Sequence, residues 1–190
     1  MQAGPASPAR NKTPMEGGAS FSARHRCYRA AFGIVWLLLA RWTPPCCHGW
    51  RRWVLRLFGA RLHSTSRIYS SARIWCPAHL LMDCHATIGP RVNCYNIAPL
   101  RIAAYAIVSQ DAELVTGSHD PDNPAHPLVA APITLGAHSW IAAGAFVGPG
   151  VTVGRGAVLG ARCVCFKDCE EASIYIGNPA RLLRRRNITF

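Results

Sequence analysis

The stretch PITLGAHSWIAAGAFVGPGVTVGRGAVLGA, residues 132–161, decides the fold. Leu135, Ile141, Val147, Val153 and Leu159 stand six apart, and each is followed by a small residue: Gly136, Ala142, Gly148, Gly154 and Gly160. Two places earlier come Ile133, Ser139, Ala145, Val151 and Ala157, again small or apolar. An α-helix repeats apolar residues every three or four places and a strand every second, so neither alone gives a period of six. A short strand followed by a tight turn does. The aliphatic residue points inward, the small residue lets the backbone bend, and the next strand starts on a new face. Three such units close a triangular coil, and coils stacked in parallel line up their Leu, Ile and Val side chains as a continuous core. The period therefore predicts an all-β protein, a parallel β-helix.

Working outward, Leu62, Ile68, Ile74 and Leu80 keep the same step, and Ile102, Val108 and Leu114 resume it after a slip expected near Ile88-Gly89. Between Leu114 and Ile133 the period breaks into VTGSHDPDNPAHPLVAAP, residues 115–132, polar, Pro-rich and holding two histidines. A long interruption of a regular coil is a candidate functional loop. The chain then divides into a Gly/Pro/Ser/Ala-rich tail expected to be disordered (1–20), a basic helical segment (21–60), the β-helix (61–176) and a basic C-terminal tail (177–190).

Within the helical segment, the apolar run Ala30–Trp42 is shorter than the roughly 20 residues a membrane span needs. Arg41-Trp42-Thr43-Pro44-Pro45 follows it in place of a small-residue cleavage site, which reads against a secretory signal. A helix ending at Pro44–Pro45 and a second from about His48 to Phe58 are expected. Trp36, Trp42, Trp50 and Trp53 lie among arginines, which suits a membrane interface, and equally suits two helices that cap the open end of the core.

Half of the 190 residues are apolar, enough for one sizeable core, and 21 Lys+Arg against 9 Asp+Glu give a net charge of +12. That balance favours anionic partners. The charge clusters at Arg24–Arg61 and Arg181–Arg186, with no basic stripe interleaved with aromatics, which argues against nucleic acid. Nine cysteines follow neither a paired zinc pattern nor a small disulfide framework, so reduced thiols in a cytoplasmic protein are expected and Cys46–Cys47 is assigned no metal.

These residues resemble the hexapeptide-repeat acyltransferases, whose repeats build a left-handed parallel β-helix, and among them the WcaF-type colanic acid acetyltransferases. VLRLFGARL, TGSHD, the run 132–161 and GNPARLLRR carry the resemblance, which spans about residues 55–186. Ala103 and Ala142 depart from the usual Gly, and Cys163, Cys165, Phe166 and Cys169 depart from a loop normally written S-V-V-T-K-D.

The resemblance implies transfer of acetyl from acetyl-CoA to a sugar hydroxyl of an exopolysaccharide intermediate, in a trimer with sites between subunits. It places the catalytic histidine at His119. A sugar hydroxyl needs a base to take its proton, and imidazole, with a free pKa near 6.5, suits the task. The amide of Ala143 is the implied oxyanion donor. Ala142, Ala143, Gly160 and Ala161 would let the pantetheine arm lie along a coil edge, and small residues also simply satisfy the turns. Lys167, Arg181 and Arg184 are implied at the phosphates, which Arg forks suit. Tyr95 and Asn96 match an acceptor-binding segment. Asp120 is read as orienting His119 or touching the acceptor, and equally as a turn residue before Pro121. Two alternatives stay open: a non-catalytic scaffold, and a zinc carbonic-anhydrase-like enzyme using His119 and His126, against which the intact WIAAG, LGA and GNPAR segments argue for CoA and no metal.

Overall fold

The computed structural model describes residues 20–188, so the tail expected over residues 1–20 lies, save Ser20, outside the described residues. Three sheets, parallel except for the last two strands of one of them, form the sides of a left-handed triangular prism, and the α-helices among the described residues lie at its N-terminal end. Sheet A holds β1 (Arg61–Leu62), β4 (Leu80–Met82), β7 (Leu100–Ile102), β12 (Ile133–Leu135) and β15 (Thr152–Val153). Sheet B holds β2 (Arg67–Ile68), β5 (Thr87–Ile88), β8 (Ile107–Val108), β13 (Trp140–Ile141), β16 (Val158–Leu159), β18 (Ser173–Ile176) and β19 (Arg181–Arg185). Sheet C holds β3 (Arg73–Ile74), β6 (Asn93–Tyr95), β9 (Glu113–Val115), β14 (Phe146–Val147) and β17 (Val164–Cys165). The antiparallel pair β10 (Gly117–His119) and β11 (Leu128–Ala130) stands apart from the prism. Parallel crossovers are right-handed in nearly all other folds because strand twist and a crossover helix favour that hand. Here strands of two or three residues are joined by short connections, and among the described residues no α-helix lies in a crossover.

Each side contributes one column of inward residues. Ile68, Ile88, Val108, Ile141 and Leu159 on sheet B are fully buried, as are Ile102, Leu135 and Val153 on sheet A and Cys94, Leu114 and Val147 on sheet C. Burial of each such side chain stabilises by about 1.5–3 kcal/mol. The columns need close coil stacking, which sets the small residue after each aliphatic. A Cβ on Gly136 would come 2.6 Å from Arg155 N and one on Gly154 2.7 Å from Glu171 N.

The register corrects the position of the slip. Strand partners are twenty residues apart in the first coils (Arg61 with Leu81, Leu81 with Arg101) and eighteen in the later one (Thr134 with Thr152). The extra pair enters at the corners between sheets C and A, around Pro77–His79 and Asn96–Pro99, and not at Ile88-Gly89. Leu80 and Leu100 keep a step of six and are buried, but Met82 and Ile102 occupy the continuing column.

Helix α1 (Ala23–Leu39) begins at Ser22, whose hydroxyl accepts from His25 N, and is thus longer than the apolar run alone indicates. Phe32, Trp36 and Ala40, one face of its i, i+4 ladder, are buried. Helix α2 (His48–Leu57) closes the end of the prism with Val54 and Leu55, both fully buried. Arg51 is also fully buried, and it donates to Ile68 O at 2.6 Å, Pro44 O at 2.9 Å, Pro45 O at 2.6 Å and Thr43 Oγ1 at 2.8 Å. One guanidinium thereby ties the α1–α2 turn to the first coil. The tryptophans divide: Trp36 is core, while Trp42, Trp50 and Trp53 are exposed. Among the described residues no helix is long and apolar enough to cross a membrane.

Candidate active site

The interruption at 115–132 is a β-hairpin rooted at the edge between sheets C and A. Gly117, Ser118 and His119 pair with Ala130, Val129 and Leu128. At its tip, His119 Nδ1 lies 2.6 Å from the carbonyl oxygen of His126. A carbonyl only accepts, so Nδ1 carries the proton and Nε2 keeps its lone pair. The residue is exposed, and among the described residues its side chain makes this one hydrogen bond. His126 in turn donates from Nδ1 to Asp120 O at 3.2 Å, so the two histidines brace the hairpin tip reciprocally. The orienting group for His119 is this backbone carbonyl. The Asp120 carboxylate instead accepts from Asp122 N at 3.0 Å, the turn role among those expected of it.

Tyr95 and Asn96 separate. Tyr95 is half-buried, with its ring edge-on to Trp75 at 5.6 Å and its Cε1 3.5 Å from where a Cβ on Gly117 would stand, at the hairpin root. Asn96 is fully buried: it accepts from Cys76 N at 3.0 Å and donates to Cys76 O at 2.7 Å, closing a coil corner. Its amide is spent on the backbone, and its side chain faces no acceptor.

At the other edge of sheet C, between sheets B and C, the small residues stack. Ala143 O accepts from Arg162 N at 2.9 Å, which sets 142–143 beside 160–162. The Ala143 N–H has no acceptor among the described residues. Gly160 also has a packing reason, since a Cβ there would meet Ile176 Cγ2 at 2.9 Å. Ala161 is exposed.

This edge leads to a cleft of about 440 Å³ lined by Phe166, Lys167, Tyr175, Pro179 and Arg181, among others. That volume lies within the range of small-molecule sites, and Lys167 and Arg181 supply two cations to it. Arg184 does not line the cleft. It stands on β19, a strand that pairs antiparallel with β18 where a basic tail was expected, and its guanidinium donates to Arg185 O at 3.0 Å. No group of three or more His, Cys, Asp or Glu among the described residues is placed to hold a metal ion.

Comparison with known proteins agrees with this geometry. The family described as "Bacterial transferase hexapeptide (six repeats)" matches residues 132–167, the class that the prism and its small-residue edge define. A maltose O-acetyltransferase from Clostridium difficile 630 shares the fold with a TM-score of 0.78 at 18% identity, over 94% of this chain and 100% of its own. A hexapeptide-repeat-containing acetyltransferase from Vibrio cholerae O1 biovar eltor, solved with acetyl coenzyme A, gives 0.78 at 23% identity over 90% and 93%. In sequence, the protein named "Putative colanic acid biosynthesis acetyltransferase WcaF" from Escherichia coli (strain K12) is 39% identical over 145 residues, 76% of this chain and 80% of that one. The chain belongs to the hexapeptide-repeat acyltransferase family, beside WcaF.

Proposed function

We propose that the protein is an O-acetyltransferase that moves acetyl from acetyl-CoA to a saccharide hydroxyl, with His119 as general base. The observation that carries this reading is the 2.6 Å bond from His119 Nδ1 to the His126 carbonyl, which leaves an outward Nε2 lone pair on a braced loop. Nε2 takes the proton of the attacking hydroxyl, and the acetyl carbonyl carbon gains the new C–O bond. The free N–H of Ala143 is the donor for the oxyanion. Collapse breaks the C–S bond, and the proton passes from Nε2 to the departing sulfur. Lys167 and Arg181 hold the phosphate end of the thioester substrate, while Tyr95 and Asp120 lie on the acceptor side near the hairpin.

His119 and the Ala143 edge flank opposite edges of sheet C, whose side spans roughly five extended residues, about 17 Å. A threefold arrangement that sets the hairpin of one copy against the small-residue edge of the next supplies both groups to one site, which supports a homotrimer. The acceptor is a saccharide of exopolysaccharide synthesis, in line with the name of the WcaF relative. A cytoplasmic location against the inner membrane face is supported by exposed Leu38, Trp42, Trp50 and Trp53 beside Arg41 and Arg52. Absence of flotation with anionic liposomes would remove that contact.

Calorimetry with acetyl-CoA tests the reading. Arg181→Ala or Lys167→Ala is expected to weaken binding about tenfold or more, the worth of one charge-assisted hydrogen bond, and Arg184→Ala less. A folded protein that binds no acetyl-CoA would move the conclusion to a non-catalytic scaffold.

A further inference from the structure

Cys165 and Cys169 bring their sulfurs to 3.4 Å. The two bracket Phe166-Lys167-Asp168, which turns the corner from sheet C towards sheet A beside the cleft. Cys165 forms part of the cleft wall with Lys167 and Arg181. Its Sγ lies 3.0 Å from the Lys167 carbonyl oxygen, and Cys169 Sγ lies 3.8 Å from the same atom. The segment is otherwise pinned: Asp168 Oδ1 accepts from Thr152 N at 2.7 Å and Phe166 packs on Phe146 at 5.4 Å between ring centroids.

We propose that Cys165 and Cys169 form a reversible disulfide, with a small-molecule disulfide as oxidant, and that this bond loosens the cleft's grip on its anionic ligand. The second half rests on the acetyl-CoA reading above. In the first step the Cys165 thiolate attacks one sulfur of the oxidant, forming a mixed disulfide and releasing one thiol. The Cys169 thiolate then attacks Cys165 Sγ and releases the second thiol. Two electrons pass from the protein pair to the oxidant, and the two cysteine protons end on the released thiols.

The surroundings set this pair apart from two other buried cysteines, Cys94 and Cys163. Burial pushes the Cys94 thiol up to about 12 and the Cys163 thiol up to about 11. The hydrogen bond from Cys169 holds Cys165 down to about 7, against the opposing pull of burial, and Cys169 is itself raised. Cys165 is thus nearer to its nucleophilic form at neutral pH than Cys94 or Cys163. Bond formation draws the sulfurs from 3.4 Å to about 2.05 Å. The Cys165 thiol that donates to the Lys167 carbonyl at 3.0 Å disappears, so that carbonyl must turn to a new partner. Lys167 shares the cleft wall with Arg181, so a turn of residue 167 disturbs the pairing of the two cations on one anionic ligand.

The full-length protein is equilibrated in glutathione buffers of rising disulfide fraction, trapped by alkylation, and read by intact mass and peptide mapping. A 165–169 cross-link is expected to accumulate and to reverse with dithiothreitol, and Cys169→Ser is expected to stall with one glutathione on Cys165. Calorimetry then compares acetyl-CoA binding by the reduced and oxidised wild type, where oxidation is expected to weaken it about tenfold. No 165–169 cross-link at any ratio overturns the disulfide. Equal affinity in both states overturns the gating. A protein that forms the bond but binds no acetyl-CoA even when reduced contradicts the acetyl-CoA reading and the gating that rests on it, and supports the disulfide. The wild-type measurements decide even if the variant does not fold.

Discussion

Replacing Gly117 by alanine puts a methyl group into the root of the hairpin that carries His119. Its Cβ would stand 2.0 Å from Ile97 Cδ1 and 2.7 Å from Ile97 Cγ1. Carbon atoms rest at about 3.5–4.0 Å, so the shortfalls are about 1.5 Å and about 0.8 Å. Two responses are open. Ile97 can leave its rotamer for about 1 kcal/mol, or β10 can lift by about 1 Å, and the ladder from Gly117–Ala130 to His119–Leu128 transmits that shift. A displacement of that size at a catalytic group costs up to about 10²-fold in rate. Gly117→Ala is therefore expected to lose about 1–2 kcal/mol of stability and about 10- to 100-fold in kcat, with the KM for acetyl-CoA unchanged. Ile97→Ala in the same chain removes both clashing atoms and should restore most of kcat while lowering stability further. Thiol release from acetyl-CoA with a saccharide acceptor gives the rates, and urea unfolding gives the stability. A folded Gly117→Ala within twofold of wild type, or a double variant no faster than the single, would refute the reasoning.

Other consequences follow from the packing and the thiols. Gly136→Ala would set a Cβ 2.6 Å from Arg155 N and 2.8 Å from Gly154 C, backbone atoms that cannot rotate aside, so a loss of about 3 kcal/mol or more is expected in urea unfolding. Gly33→Ala, with nothing within 4 Å on α1, should gain up to about 1 kcal/mol in the same experiment. Arg51→Met strips the donors from Ile68 O, Pro44 O and Pro45 O and should cost about 3–5 kcal/mol, against about 1 kcal/mol for Arg52→Met, which loses one bond to Ser66 O. Alkylation of Cys165 should rise with pH to half its maximum near about 7, because the thiolate that reacts is the form that accepts from Cys169. Cys169→Ala, which removes that donor, should move the midpoint upward, towards the roughly 8.5 of a free thiol.

The prism was legible wherever spacing alone carries the information. Leu135 to Leu159 repeat at six because each coil side is one strand and one turn, and the Pro44–Pro45 break between helices is equally local. The misplaced slip has a physical cause: Leu80 and Leu100 are buried beside Met82 and Ile102, so each two-residue insertion is masked by a second inward residue. The interruption that carries His119 was legible as a loop apart from the coils, and Lys167 and Arg181, read together from the sequence, line one cleft. Partnerships across the fold were not. Asn96 is held by Cys76, twenty residues away, and nothing in its local sequence distinguishes a corner bracket from an acceptor contact. The His126 carbonyl that orients His119 is a backbone atom and leaves no trace in residue types. Strand β19 was hidden because five exposed residues, three of them arginines, read as a solvated tail until β18 offers its edge.

The measurement that bears most directly on the central claim is acetyl-CoA-dependent acetylation of a saccharide panel by wild type and His119→Ala, with acetyl-CoA affinity measured on both. The account predicts turnover by the wild type, a loss of at least about 10²-fold in His119→Ala, and equal affinity for the thioester in the two proteins. Turnover by His119→Ala at the wild-type rate would contradict it.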